Sequence, residues 1–85
     1  MDENTHWFVV WHQWEYFGSH MKNRKRTHTI IAVNKLRQKS LDSLRKFKKS
    51  RYFLYKYGDR VTLETDDSLL KKYKIDYNKF STEKK

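Results

Sequence analysis

Four histidines, His6, His12, His20 and His28, have the widest chemical range in this 85-residue chain. His6 and His12 share parity on an extended segment. His28 lies across from them if residues 6–17 and 27–33 pair as strands. Histidines joined by a carboxylate can hold zinc. No His-x-x-x-His spacing sets two of them on one helical turn, so no metal site and no cofactor is expected. A metal-independent ribonuclease needs a base, an acid and cations around a scissile phosphate. His12, His28, Tyr55 and Arg60 are the residues that would supply them. There is no Gly-rich phosphate loop, no serine nucleophile elbow and no paired-carboxylate motif. The chain therefore reads as a binding protein rather than an enzyme, with ribonuclease kept as an alternative.

Phosphate binding has the stronger set of residues. Lys22, Arg24, Lys25 and Arg26 form a tight cluster within residues 18–26, which read as a loop. Lys35, Arg37, Lys39, Arg45, Lys46, Lys48 and Lys49 cover most of an amphipathic helix expected over about 35–49, capped by Asn34. Its core stripe is narrow: Leu36, Leu44 and Phe47, with Ser40 between them and Leu41 at the edge. Lys and Arg neutralise phosphates and release counterions, giving affinity that falls steeply with salt. Lys outnumbers Arg by fourteen to six. Lys is a point charge, whereas Arg offers the fork that reads guanine, so the balance favours backbone contacts over sequence readout.

Residues 51–57 and 60–65 flank Gly58-Asp59 and predict a two-residue β-hairpin. Alternation then places Tyr52, Leu54, Val61 and Leu63 on one face. Phe53, Tyr55, Tyr57, Arg60, Thr62 and Glu64 share the other. Phe53, Tyr55 and Tyr57 beside Arg60 would make a platform for stacking unpaired bases; the alternative is that a helix covers them as core. The run Arg51–Arg60 followed by Asp67-Ser68-Leu69-Leu70 resembles the wing-and-helix end of small excisionase-type DNA-binding proteins, and the hairpins of integrase arm-binding domains. The resemblance covers about a quarter of the chain. The helix-turn-helix that precedes the wing in such excisionases is not visible, since residues 27–33 read as strand.

These residues need a scaffold. Residues 6–17 are rich in β-branched and aromatic types, which favours a strand. A helix with Trp7, Val10, Trp11, Trp14 and Phe17 on one face is the alternative. Trp7, Trp11 and Trp14 belong to the core, a homodimer seam or a protein-docking patch. Asp66 or Asp67 caps a short helix to about Tyr73, with Leu69, Leu70 and Tyr73 on its core side. The expected fold is a small α+β domain over residues 1–85, in the order β-β-α-β-β-α, with an antiparallel sheet and with 1–5 and 76–85 frayed.

Composition narrows the function. The net charge is +10. Residues 1–20 hold no Lys or Arg and three acids, whereas 21–60 hold fourteen Lys and Arg against two acids. A localised basic block points to nucleic acid, DNA or RNA. The absence of Cys removes disulfides and thiolate chemistry. No apolar run is long enough to span a membrane, and no secretory signal is visible, so a cytoplasmic protein is expected. The leading expectation is a nucleic-acid-binding protein acting mainly through phosphate contacts, of the kind found as phage or mobile-element accessory proteins. The alternative partner is an acidic protein surface, met by an inhibitor or adaptor.

Overall fold

The computed structural model describes residues 5–76. Their order is β1 (Trp7–Phe17), β2 (Asn23–Asn34), α1 (Arg37–Lys48), β3 (Arg60–Thr65) and α2 (Asp66–Tyr73), with short 3-10 turns at Ser19–Met21 and Tyr55–Tyr57. The class is α+β, with one antiparallel sheet in the order β2-β1-β3. The expected fraying of 1–5 and 76–85 falls, apart from Thr5 and Asp76, outside the described residues.

β1 is the central strand, and its aromatic and β-branched run forms a strand rather than a helix. It doubles back through Gly18, whose φ of 87° suits the absence of a side chain. β2 then runs from Asn23, so Arg24, Lys25 and Arg26 lie in the sheet and not in a loop as expected. The reason is the length of β1: residues 14–17 continue the ladder and pair with 23–26. The register slips once. Val9 faces Ala32 and Val10 faces Ile30, leaving Ile31 as a bulge on β2.

Alternation along β1 sends Phe8, Val10, His12 and Trp14 to one face and Trp7, Val9 and Trp11 to the other. α2 covers the first face, where Leu69 packs on Phe8 and Val10 with Ile30, Tyr73 and Ile75 around them. α1 covers the second, where the Phe47 ring meets Trp11 edge-on at 4.9 Å. Ser40, fully buried, donates a 2.7 Å hydrogen bond to the Trp7 carbonyl. The sheet is thus the middle layer between two helices.

Four helix expectations are corrected. α1 begins after Leu36, not at an Asn34 cap, because Asn34 is still paired with Trp7 in the sheet. Leu36 is 61% exposed, and Ser40 takes the centre of the buried stripe because the helix approaches β1 closely there. At α2 the cap is Thr65, in a reciprocal capping box with Ser68, while Asp66 and Asp67 occupy the first turn. Leu70 is exposed rather than core, since Leu69 and Tyr73 already fill the face toward the sheet.

The expected hairpin is absent, and the order is β-β-α-β-α. β3 pairs with β1, Trp7 to Thr65 through His12 to Arg60, and not with residues 51–57. The open edge of a long central strand is a better template than a seven-residue segment. Asp59 completes the diversion. Its backbone N–H donates to Leu54 O at 3.2 Å, and its carboxylate accepts from Leu54 N at 3.1 Å. That closes residues 54–59 into a compact turn. Gly58 does take the left-handed conformation expected of it, with φ 91°. The wing implied by the excisionase resemblance goes with the hairpin. Among the described residues no helix is long and apolar enough to cross a membrane.

Candidate functional site

α2 covers only part of its sheet face. Beyond it, β1 and β2 continue toward the Gly18 turn, and this end, which no helix covers among the described residues, carries the candidate site. Strand pairing sets Arg26 opposite Trp14 and Arg24 opposite Tyr16. Both guanidinium groups lie over the Trp14 ring, Arg24 at 4.0 Å and Arg26 at 4.6 Å from its centroid. Gly58 lies against the Trp14 ring, where a Cβ would sit 2.8 Å from the indole. The Gly58 carbonyl accepts a 2.9 Å hydrogen bond from Arg26 Nη1. On β3, Arg60 is opposite His12, lies 4.6 Å from the Tyr55 ring centroid and donates to the Asp59 carbonyl at 2.8 Å. Among the described residues none of these three guanidiniums pairs with a carboxylate. Their charge is held in place by rings and backbone oxygens and stays unneutralised.

Where this open end meets α2, the polar side chains join into a chain. His28 Nδ1 lies 2.7 Å from His12 Nδ1, His12 Nε2 lies 2.7 Å from Thr62 Oγ1, and Thr62 Oγ1 donates to Glu64 Oε2 at 2.6 Å. The Tyr73 hydroxyl also donates to Glu64 Oε2, at 3.1 Å, and Lys72 Nζ stands 3.5 Å from Oε1. His12 and Glu64 are nearly fully buried. The Tyr73 ring packs against both imidazoles. Burial pushes the Glu64 carboxyl up, but hydroxyls of Thr62, Ser68 and Tyr73, with Lys72, more than offset it and hold it below its ordinary value. His12 is held below the ordinary imidazole value by burial, then by His28 and Arg26, against a partial opposing effect of Glu64. Burial and Arg26 lower His28 likewise. Tyr73 is raised by burial and by Glu64.

With Glu64 anionic and both imidazoles neutral, the hydrogen-bond geometry assigns the protons along the chain. Glu64 is an anion and accepts the Thr62 hydroxyl proton. Thr62 therefore accepts from His12 Nε2–H. A neutral His12 then has a bare Nδ1, which accepts from His28 Nδ1–H. A neutral His28 keeps the lone pair on its Nε2. That atom makes no hydrogen bond among the described residues, and the His28 side is only half-buried.

The other expected residues are dispersed. Lys22 sits in the turn before β2. Lys25 points to the opposite face from Arg24 and Arg26 and pairs with Glu15 at 3.5 Å, an acid brought to it by strand pairing. Lys35, Arg37, Lys39, Arg45, Lys46, Lys48 and Lys49 are exposed on or beside α1, across the sheet from Trp14. Arg37 approaches the Trp7 ring at 5.7 Å, and Lys46 lines a shallow hollow of about 310 Å³ with Ile31, Ala32, Phe47 and Tyr52.

The stacking residues separate as well. Phe53 is half-buried against Phe47, with ring centroids 6.1 Å apart. Tyr55 and Tyr57 are 66% and 71% exposed, but on a 3-10 turn rather than a strand. The three tryptophans do not share a patch: Trp7 and Trp11 face α1, while Trp14 faces the arginines. Trp11 is fixed by a 3.0 Å bond from Nε1 to Asp59.

Sequence reasoning set His28 across from His6 and His12 alike, and the structure pairs it with His12; Trp14 was missed as the ring beneath the arginines. It also missed Thr62, Glu64 and Tyr73 as the supports of the histidines. Compared with protein-family models, curated proteins and solved structures, the chain matches none.

Proposed function

We propose that the protein binds nucleic acid, mainly through phosphate contacts, on the open end of the sheet that carries Trp14, Arg24, Arg26 and Arg60. The observation that supports this reading most is the set of three guanidiniums seated on aromatic rings, two of them also on backbone carbonyls, with no ion pair to a carboxylate among the described residues. A guanidinium already ordered by a ring loses little freedom when it meets a phosphate, and its fork suits two phosphate oxygens. Tyr55, which is exposed, adds a ring on which a splayed base can stack. The basic face of α1, on the far side of the sheet, adds a long-range field that speeds encounter.

Nuclease-treated protein should bind short single- or double-stranded oligonucleotides with an affinity that falls linearly in log–log plots against salt, by about one unit of slope per phosphate neutralised. Affinity that does not change with salt contradicts the reading. Stoichiometric capture of an acidic protein, with no oligonucleotide bound at low salt, would replace it by docking on a protein.

A further inference from the structure

We propose that the His28–His12–Thr62–Glu64 chain is the base side of an RNA-cleaving site, with His28 Nε2 accepting the proton of a ribose 2′-hydroxyl. The inference rests on the nucleic-acid reading above and specifies its substrate as RNA. Binding alone requires no ordered chain of this kind. A surface that only holds phosphates is served by cations, yet two histidines, a threonine and an anionic glutamate are joined end to end behind those cations by contacts of 2.7, 2.7 and 2.6 Å. The chain has a direction. Its anion, Glu64, is buried and held by Tyr73 and Lys72, and at its other end the half-buried His28 carries a lone pair on Nε2. A base whose tautomer is set by a partner that is itself oriented is the arrangement that general-base sites share.

The cations sit where the reaction needs them. Arg26 is two residues from His28 along β2 and so on the same face. Arg60 is the register partner of His12 on the other side. Both can meet the phosphate whose neighbouring 2′-hydroxyl reaches His28. In the step, the 2′-oxygen forms a bond to phosphorus and the bond from phosphorus to the 5′-oxygen breaks. The 2′-hydroxyl proton passes to His28 Nε2, and the departing 5′-oxygen takes a proton from water. The products are a 2′,3′-cyclic phosphate and a 5′-hydroxyl, and the His28 imidazolium then returns its proton to solvent. The guanidiniums stabilise the charge that builds on the phosphorane oxygens. Lowered by burial and by Arg26, His28 is unprotonated at neutral pH and ready as a base. Thr62 acts through His12 and is a positioning residue.

The test uses a DNA oligonucleotide with one internal ribonucleotide and its all-DNA counterpart, each assayed for binding and for cleavage. The wild-type protein should bind both and cut only the first, leaving a 2′,3′-cyclic phosphate detectable by mass spectrometry. His28→Gln should lower the rate by about 100-fold or more while binding of the all-DNA strand is retained. Thr62→Val should lower kcat with KM unchanged, and Thr62→Ser should restore it. Salt-sensitive binding of both strands with the ribonucleotide left intact overturns the cleavage proposal and leaves the binding reading standing. Binding of neither strand overturns both. Cleavage by His28→Gln at the wild-type rate, or an equal loss in Thr62→Val and Thr62→Ser, removes the assigned roles.

Discussion

His12 and His28 meet across β1 and β2 with their Nδ1 atoms 2.7 Å apart. One of the two must carry the proton between them, so the pair cannot be doubly protonated without breaking the contact. Every packed element adds to the surroundings: Arg26 from β2, Arg60 and Glu64 from β3, Lys72 and Tyr73 from α2. Burial and the neighbouring cations win over Glu64, and both imidazoles lie below the ordinary value of 6.5 in the folded protein. The unfolded chain then binds more protons just below that pH than the folded one does. Urea midpoints should be flat above about pH 7 and fall as the pH drops below 6.5. A second fall is expected below the ordinary carboxyl value of 4.5 as Glu64 protonates. A midpoint that rises on acidification through pH 6 would contradict the proton assignment.

Gly58 lies close against the Trp14 ring. A side chain there meets the indole at 2.8 Å, and the φ of 91° disfavours any residue with a Cβ. Gly58→Ala should lower stability by more than about 1 kcal/mol. It should also weaken oligonucleotide binding, because the Gly58 carbonyl anchors Arg26. Chemical denaturation and anisotropy on the same variant read both effects.

Asp59 links the turn before β3 to the central strand through two bonds, from Trp11 Nε1 and from Leu54 N. Asp59 is buried, only 4% exposed. Asp59→Ala leaves both donors without their acceptor and should cost about 1–3 kcal/mol. A shift in tryptophan emission should accompany the loss, since Trp11 gains water at its indole nitrogen. Stability within 0.5 kcal/mol of wild type, a change of the size expected at an ordinary surface position, would show that the turn does not depend on this carboxylate.

The local composition of residues 6–17 favoured the strand that forms β1, and the loop expected over 18–26 contains the reversal, at 18–21. His28 was set across from His6 and His12 alike; the structure selects His12, because both stand the same distance from His20 at the centre of the turn. The same symmetry pairs Trp14 with Arg26, yet the basic run disguised the first part of β2 as a loop. Local reasoning failed at Gly58-Asp59. The two segments flanking it have matching strand-like composition, and only the tertiary competition for the free edge of β1 decides that 60–65 pairs there and 51–57 does not. Thr62 and Glu64 could not be seen as supports of the histidines until β3 was known to lie beside β1. The basic residues of α1 were legible as a solvated cationic face, but not that the sheet separates them from Arg24 and Arg26.

The two basic surfaces give the account its most direct test. One triple variant reverses Arg24, Arg26 and Arg60 to Glu, and a second reverses Arg45, Lys48 and Lys49 on the exposed side of α1. Both change the net charge equally, so a general electrostatic effect moves them together. Binding of one oligonucleotide should be measured by anisotropy across a salt series for wild type and both variants. The arginine variant should lose most of the affinity and about three units of the salt slope, while the α1 variant should keep the wild-type slope and lose only a small part of the affinity. Equal losses in the two variants, or a larger loss in the α1 variant, would contradict the assignment of the binding surface to Trp14 and its arginines.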